Sequence, residues 1–281
     1  MHILTFDIEE WYHIRFDDTF LNDSILLKSL ENRLDYNINL ILDLLDKHNV
    51  KATFFCLGEV ARNSPGIITR INDRGHDIGC HSNNHRLITS MSEQEFSIDL
   101  YTALECIQSE IGRKVYMYRA PAFSITNDNK WAFDIMTDHG ITIDSSIFPA
   151  SRDYGGMSNV NFPTPRKIIT SSGNSIKEFP MSVHSILGKN MVFTGGGYFR
   201  LWPYPIIKHF MEKENYTMSY FHPRDFDYKQ PILEGLSLTR RFKSYYGLER
   251  ALYKLDLLLN DFDFLSISEA EQLINWENLS E

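Results

Sequence analysis

Short apolar runs alternate with stretches of helical period through the first 145 residues of this chain. Residues 2–6 read as a strand, and residues 14–32 show no clear period and read as irregular. Leu34, Ile38, Ile41, Leu42 and Leu45 then recur at helical spacing, with the helix ending near Lys47, His48 and Asn49. Residues 51–56 form a second strand. A helix opened by Pro65-Gly66 and ended by Gly75 leads to a third strand at 76–80. Ser92 and Glu95 have the spacing of a capping box, which starts a long helix through about Ile111. Residues 115–118 are a fourth strand, 129–139 a helix closed by Gly140, and 141–143 a fifth strand. Strands alternating with helices across short loops predict a parallel sheet, open or closed into a barrel.

The pattern breaks after Pro149. Gly155, Gly156, Pro163 and Pro165 mark a long loop to about residue 175, followed by strand-like pieces at 176–179 and 191–193. The triplet Gly195-Gly196-Gly197 permits unusual backbone angles or close approach to a ligand. A helix near 203–214 leads to a strand at 218–221 that ends on His222-Pro223. Residues 224–246 read as loop, 248–259 as an amphipathic helix, 262–265 as a last strand and 268–276 as a helix. There is no internal repeat and no linker, so residues 1–281 are expected to form one domain. That domain would carry a loop-rich insertion around 149–200 and a C-terminal helical extension.

A net charge of −9 with scattered Lys and Arg argues against a nucleic-acid or anionic-membrane surface. Cys56, Cys80 and Cys106 form no CxxC motif and cannot all pair, which suits a reducing compartment. No apolar run approaches the length of a membrane-spanning helix, and the N-terminus has no basic start followed by an apolar block. The expectation is a cytoplasmic protein with no integral membrane segment; the sequence is nearly silent on oligomeric state.

The reactive residues gather just after predicted strands. Asp7, Glu9 and Glu10 follow the first, and three carboxylates in four residues repel one another unless a cation or a reaction needs them. His81 and His85 follow the third; four residues apart on a helix-like backbone, both imidazoles reach one cation. On spacing alone such a pair is weak. Arg119 and Pro121 follow the fourth strand, Asp144 the fifth, and His222 a later one. Carboxyl ends of parallel strands share one rim of a barrel, and catalytic residues come from several of them.

Taken in order, Thr5-Phe6-Asp7-x-Glu9-Glu10, His81-x3-His85, Arg119-x-Pro121, Asp144-Ser145 and Phe221-His222 resemble the motifs of the NodB-homology polysaccharide deacetylases, carbohydrate esterase family 4. The segments 196–201, His222-Pro223 and Arg241-Phe242 resemble the branch encoded with bacterial exopolysaccharide clusters. The resemblance implies an α/β fold, a distorted (β/α)7 barrel. It also implies a hydrolase removing N-acetyl, or O-acetyl, groups from an acetylated sugar or glycan. A divalent metal, zinc first and cobalt, nickel or manganese next, would sit on His81, His85 and a carboxylate of the first motif. Asp7 would be the base, Arg119 would orient it and His222 would be the acid. Asp144 would belong to the pocket or tune His222, and the Ala122 N–H would donate to the oxyanion.

Many members have two adjacent aspartates in the first motif. Here Ile8 follows Asp7, so the ligand is Glu9 or Glu10; Glu9 fits an Asp-x-Asp variant, and alternation along an extended segment puts it on the side of Asp7. Trp11, Tyr12, Phe123 and Tyr198 are candidates to stack on sugar faces, and Arg200 to touch substrate. Two other readings stay open: a glycan-binding member without catalysis, and an amidohydrolase acting on a small cyclic amide. A glycosidase built on Asp7 with Glu9 or Glu10 would leave the histidine pair without a purpose.

Overall fold

The computed structural model describes residues 1–10, 13, 24–150, 154–157, 164–186, 189–232, 238–277 and 279. Trp11 and Tyr12 lie outside the described residues. The first half runs β1 (His2–Ile8), α1 (Ser24–His48), β2 (Thr53–Cys56), α2 (Gly58–Asn63), α3 (Ile67–Asp73), β3 (Asp77–Cys80), α4 (Glu93–Ile111), β4 (Met117–Tyr118), α5 (Trp131–Asp138) and β5 (Ile143–Asp144). The second half runs β6 (Arg166–Ile169), β7 (Ser175–Glu178), β8 (His184–Ile186), β9 (Lys189–Met191), α6 (Gly196–Leu201), α7 (Tyr204–Met211) and β10 (Thr217–Phe221). It ends with α8 (Leu238–Tyr245), α9 (Leu248–Asp261), β11 (Phe264–Leu265) and α10 (Ile267–Leu273).

Seven strands pair in parallel in the order β10-β1-β2-β3-β4-β5-β7. Outside β7 lies antiparallel β6, and β11 shares an edge of β1 with β2, pairing at His2 and Ile3 where β2 pairs from Thr5 onward. The sheet curls into a barrel left open along one seam, between β7 and β10. Side chains and loops bridge that seam: Tyr216 donates to the Pro180 carbonyl (2.7 Å), the Met218 N–H to Ser182 Oγ (2.9 Å) and the Tyr220 N–H to the Thr194 carbonyl (3.1 Å). This is the expected distorted (β/α)7 barrel.

Burial explains the strands. β1, β2 and β10 are covered on both faces, as parallel strands under helices must be. The period of two divides β1 between two cores. Leu4, Phe6 and Ile8 pack with Leu34, Ile38 and Ile41 of α1 on the helix side, and Ile3 packs inside with Phe55, Met117, Ile143 and Met218. Thr5 and Asp7 follow Ile3 inward.

Several boundaries differ from the sequence reading. Residues 24–32, read as irregular, belong to α1, and the helix expected after Pro65 is preceded by another, α2. The 224–246 stretch contains α8. Residues 149–200 are less loop-rich than expected, because they supply β6 to β9, including the barrel strand β7, and most of α6. The Ser92 capping box forms as read, and Gly112 closes α4 at φ 68°. No helix among the described residues is long and apolar enough to cross a membrane.

Candidate active site

Inward alternation on β1 delivers Asp7 to the barrel mouth, where it meets Arg119 from the end of β4. Arg119 is fully buried; its Nη1 donates to Asp7 Oδ1 (2.9 Å) and Thr5 Oγ1 (2.7 Å), and its Nε and Nη2 hold the carbonyl and hydroxyl of Ser145. The guanidinium also lies 4.3 Å over the Phe55 ring. With Oδ1 taken, Asp7 presents Oδ2 to the His222 side, 4.0 Å from His222 Nε2.

One residue past β1, Glu9 meets the two histidines. Ligand atoms of Glu9, His81 and His85 all lie within 4.8 Å of one another, and Glu9 Oε2 is 2.8 Å from His85 Nε2. Glu10 instead lines a small, partly open pocket with Arg33, Asn37, Arg224 and Asp227. The histidine pair is not helical, as its spacing suggested. It sits on a turn after β3 in which Ser82 (φ 73°) and His85 (φ 62°) are left-handed. Ser82 Oγ accepts the His85 N–H, and Asp99 of α4 accepts the Asn83 N–H, so the turn is tied to the barrel wall.

The donor chemistry suits a divalent cation. Burial lowers the His81 pKa to about 4, so the ring is neutral. Its Nδ1 lies 2.7 Å from the Arg119 carbonyl, an acceptor, so Nδ1 carries the proton and Nε2 keeps a lone pair for a metal. Burial opposes the charge on Glu9, but His85, His222 and His81 outweigh it and hold the carboxyl well below its usual range. A carboxylate 1% exposed beside two imidazoles is a costly arrangement unless a cation completes it.

His222 closes the site from the end of β10, with Nε2 3.5 Å from Glu9 Oε1. Burial works against its imidazolium, yet Glu9, Asp225 and Asp7 raise its pKa to about 9. Asp225, which the sequence reading passed over, accepts from the backbone N–H of His222 (3.0 Å) and from its Nδ1 (3.1 Å). Its only sequence signal was the three-residue spacing from His222, which is that of a capping residue.

Two expectations are corrected. Arg200, expected to touch substrate, is buried; its guanidinium donates to the carbonyls of Lys243, Ser244 and Tyr246 and lies 3.3 Å from Asp225. Phe123, expected to stack on a sugar, is 4% exposed and packs edge-on against Tyr220. Asp144 is fully buried; Ser146 donates to it through N–H and hydroxyl, and Glu178 pairs with it, burial raising the pKa of both carboxyls. It holds structure beneath the rim rather than contacting His222. Ser146 Oγ in turn accepts the Ala120 N–H, next to the loop that carries Ala122. Ala122 is left-handed (φ 51°, ψ 21°); the turn uses the N–H groups of Phe123 and Ser124, not that of Ala122. Tyr198 is exposed on α6.

Comparison with known proteins divides the chain at β5. The polysaccharide deacetylase profile matches residues 13–143, and a domain of unknown function, DUF3473, matches 145–272. A Bacillus cereus peptidoglycan-N-acetylglucosamine deacetylase is 40% identical over 93 residues, covering 33% of this chain and 34% of that protein. The Bacillus subtilis peptidoglycan-N-acetylmuramic acid deacetylase PdaA is 33% identical over 81 residues, covering 29% and 31%. The chain thus matches about a third of the length of these curated relatives. Its fold superposes on a Mycobacterium smegmatis protein solved as a candidate polysaccharide deacetylase, with TM-score 0.66, 17% identity and coverage of 99% and 91%. A Bacillus anthracis CE4 family pseudoenzyme shares the fold at TM-score 0.51 and 16% identity, covering 96% and 64%. One sheet runs through both matched regions, and His222 and Asp225 come from the second. Residues 13–143 thus match the polysaccharide deacetylase family, and the barrel they begin is completed by residues that match a domain of unknown function.

Proposed function

We propose that this protein is a metal-dependent deacetylase that hydrolyses the N-acetyl group of an aminosugar within a glycan. A pseudoenzyme shares the fold, so the fold alone does not carry this reading. What carries it is the convergence of Asp7 Oδ2 and His222 Nε2 beside the cluster of Glu9, His81 and His85.

Glu9, His81 and His85 would hold the metal, for which two imidazoles and a carboxylate favour zinc. A divalent cation there supplies Lewis acidity, polarising the acetyl carbonyl and acidifying a water. Asp7 Oδ2 takes the proton of the attacking water, and Arg119 keeps that oxygen aimed at it. The Ala122 N–H donates to the oxygen of the tetrahedral intermediate, a contribution of about 3–4 kcal/mol for one preorganised donor. His222 Nε2 gives a proton to the sugar nitrogen as the C–N bond breaks, leaving acetate and a free amine. The two relatives act on N-acetylglucosamine and N-acetylmuramic acid in peptidoglycan; their shared acetamido group on a hexosamine is the substrate class inferred here.

The test is acetate release from N-acetylglucosamine oligosaccharides by zinc-loaded protein, with chelated protein as control. Release that stops on chelation and returns with zinc is expected. No release from protein holding one zinc per chain would sink the catalytic reading and leave glycan binding.

A further inference from the structure

We infer that Asp225, fixed in place by Arg200, is the positioning residue of the acid His222, a role the family resemblance left open to Asp144. The inference rests on the deacetylase reading above for its chemistry, and on geometry for its residues.

An imidazole that protonates a leaving amine must keep Nε2 aimed at the amine, which requires a fixed acceptor on Nδ1. Asp225 is that acceptor. One oxygen, Oδ2, receives both the His222 backbone N–H and Nδ1, so backbone and ring are set by a single atom. A carboxylate only accepts, so Nδ1 is always a protonated nitrogen, and the proton that comes and goes is on Nε2, which faces Asp7 and Glu9. The other oxygen faces Arg200 Nε at 3.3 Å.

Arg200 is itself immobilised from two sides. Its guanidinium caps the carbonyls of Lys243, Ser244 and Tyr246 at the end of α8, and Lys254 of α9 donates to its own carbonyl at 2.8 Å. Arg200 and Asp225 are 4% and 3% exposed, so neither is a solvated surface pair. Asp144 is occupied with Ser146 and Glu178. The chain Arg200–Asp225–His222 lies wholly in the half matched only to a domain of unknown function, which gives that half a stated part in the reaction.

Zinc-loaded wild type, His222→Ala, Asp225→Asn, Asp144→Asn and the double variant His222→Ala/Asp225→Asn are assayed on two substrates. These are an N-acetylglucosamine oligosaccharide and 4-nitrophenyl acetate, whose leaving group needs no proton. Asp225→Asn should lose about 10–100-fold in kcat on the amide, with KM and the ester rate little changed. The double variant should be no slower than His222→Ala, because the two residues act as a unit. Asp144→Asn should lose on both substrates alike. Equal losses of Asp225→Asn on amide and ester, or losses that add in the double variant, would overturn the assignment. The second readout is independent of turnover: proton–nitrogen NMR of ¹⁵N-histidine-labelled protein should show an Nδ1–H at His222 that survives Asp144→Asn and disappears in Asp225→Ala, which has no acceptor. A wild-type ring protonated at Nε2 but not at Nδ1 overturns the proposal even if the Asp225 variants fail to fold. A wild type inert on both substrates sinks the deacetylase reading alone, and the spectrum still decides the pairing.

Discussion

Glu9 and Glu10 are adjacent, both buried and both acidic, yet the structure sends them to different neighbours. Glu9 faces His81 and His85, whereas Glu10 shares a pocket with Arg33 and Arg224. Glu9→Ala is therefore expected to lose zinc, and His81→Ala likewise, while Glu10→Ala retains it. Metal titration followed by calorimetry checks this, and weaker binding in Glu10→Ala than in Glu9→Ala would reverse the ligand assignment. Asp7 makes a sharper case, since Asn has the same shape and can still receive Arg119. Asp7→Asn should fold and hold zinc while losing roughly 10²–10⁴-fold in acetate release, the usual contribution of a general base. Residual activity near wild type would remove Asp7 from the mechanism. At this scale alternation along β1 made Asp7 and Glu9 legible in the sequence. Arg200 and Phe123 were not, because a polar or aromatic side chain beside a motif reads the same whether it faces substrate or the interior.

Elements place these residues through turns that periodicity does not reveal. The loop after β4 holds Ala122 and Phe123 in left-handed backbone, and such strain persists only when packing fixes it. Gly155 provides that packing: a Cβ built there would lie 2.1 Å from the Phe123 carbonyl oxygen, and the next N–H, of Gly156, donates to that oxygen. Gly155→Ala should displace the Ala122 N–H, lowering kcat for the amide while zinc binding is unchanged; a wild-type kcat would show that this loop does no catalytic work. By contrast α4 was readable from its ends. Ser92→Ala removes one half of a formed capping box and should cost about 0.5–2 kcal/mol in urea unfolding, without touching zinc affinity. The start of α1 was legible in principle, since Leu27 and Leu30 continue the helical spacing of Leu34 and Ile38 back along the chain.

The barrel as a whole also sets how stability answers to pH. His76 is 2% exposed and its Nδ1 accepts the Ala52 N–H; burial is the main cause of a pKa lowered from 6.5 to about 4. The folded pKa is below the unfolded one, so between pH 6.5 and 4 the unfolded chain binds the extra proton. Stability from this group is full above that window and is lost as pH falls through it. Urea midpoints of chelated protein should drop from pH 7 to 4.5, and less steeply in His76→Gln; parallel curves would exclude His76. The sequence by itself determined the alternation of strands and helices, the rim on which Asp7, His81, Arg119 and His222 gather, and the capping of α4, because local period and end signals depend on near neighbours. Only the tertiary structure decided the open seam between β7 and β10, the choice of Glu9 over Glu10 as neighbour of the histidines, and the pairing of His222 with Asp225 and Arg200 rather than Asp144. Those outcomes depend on which strand ends meet across a curled sheet, and on where each buried charge finds its partner, and neither is encoded in the spacing of residues along the chain.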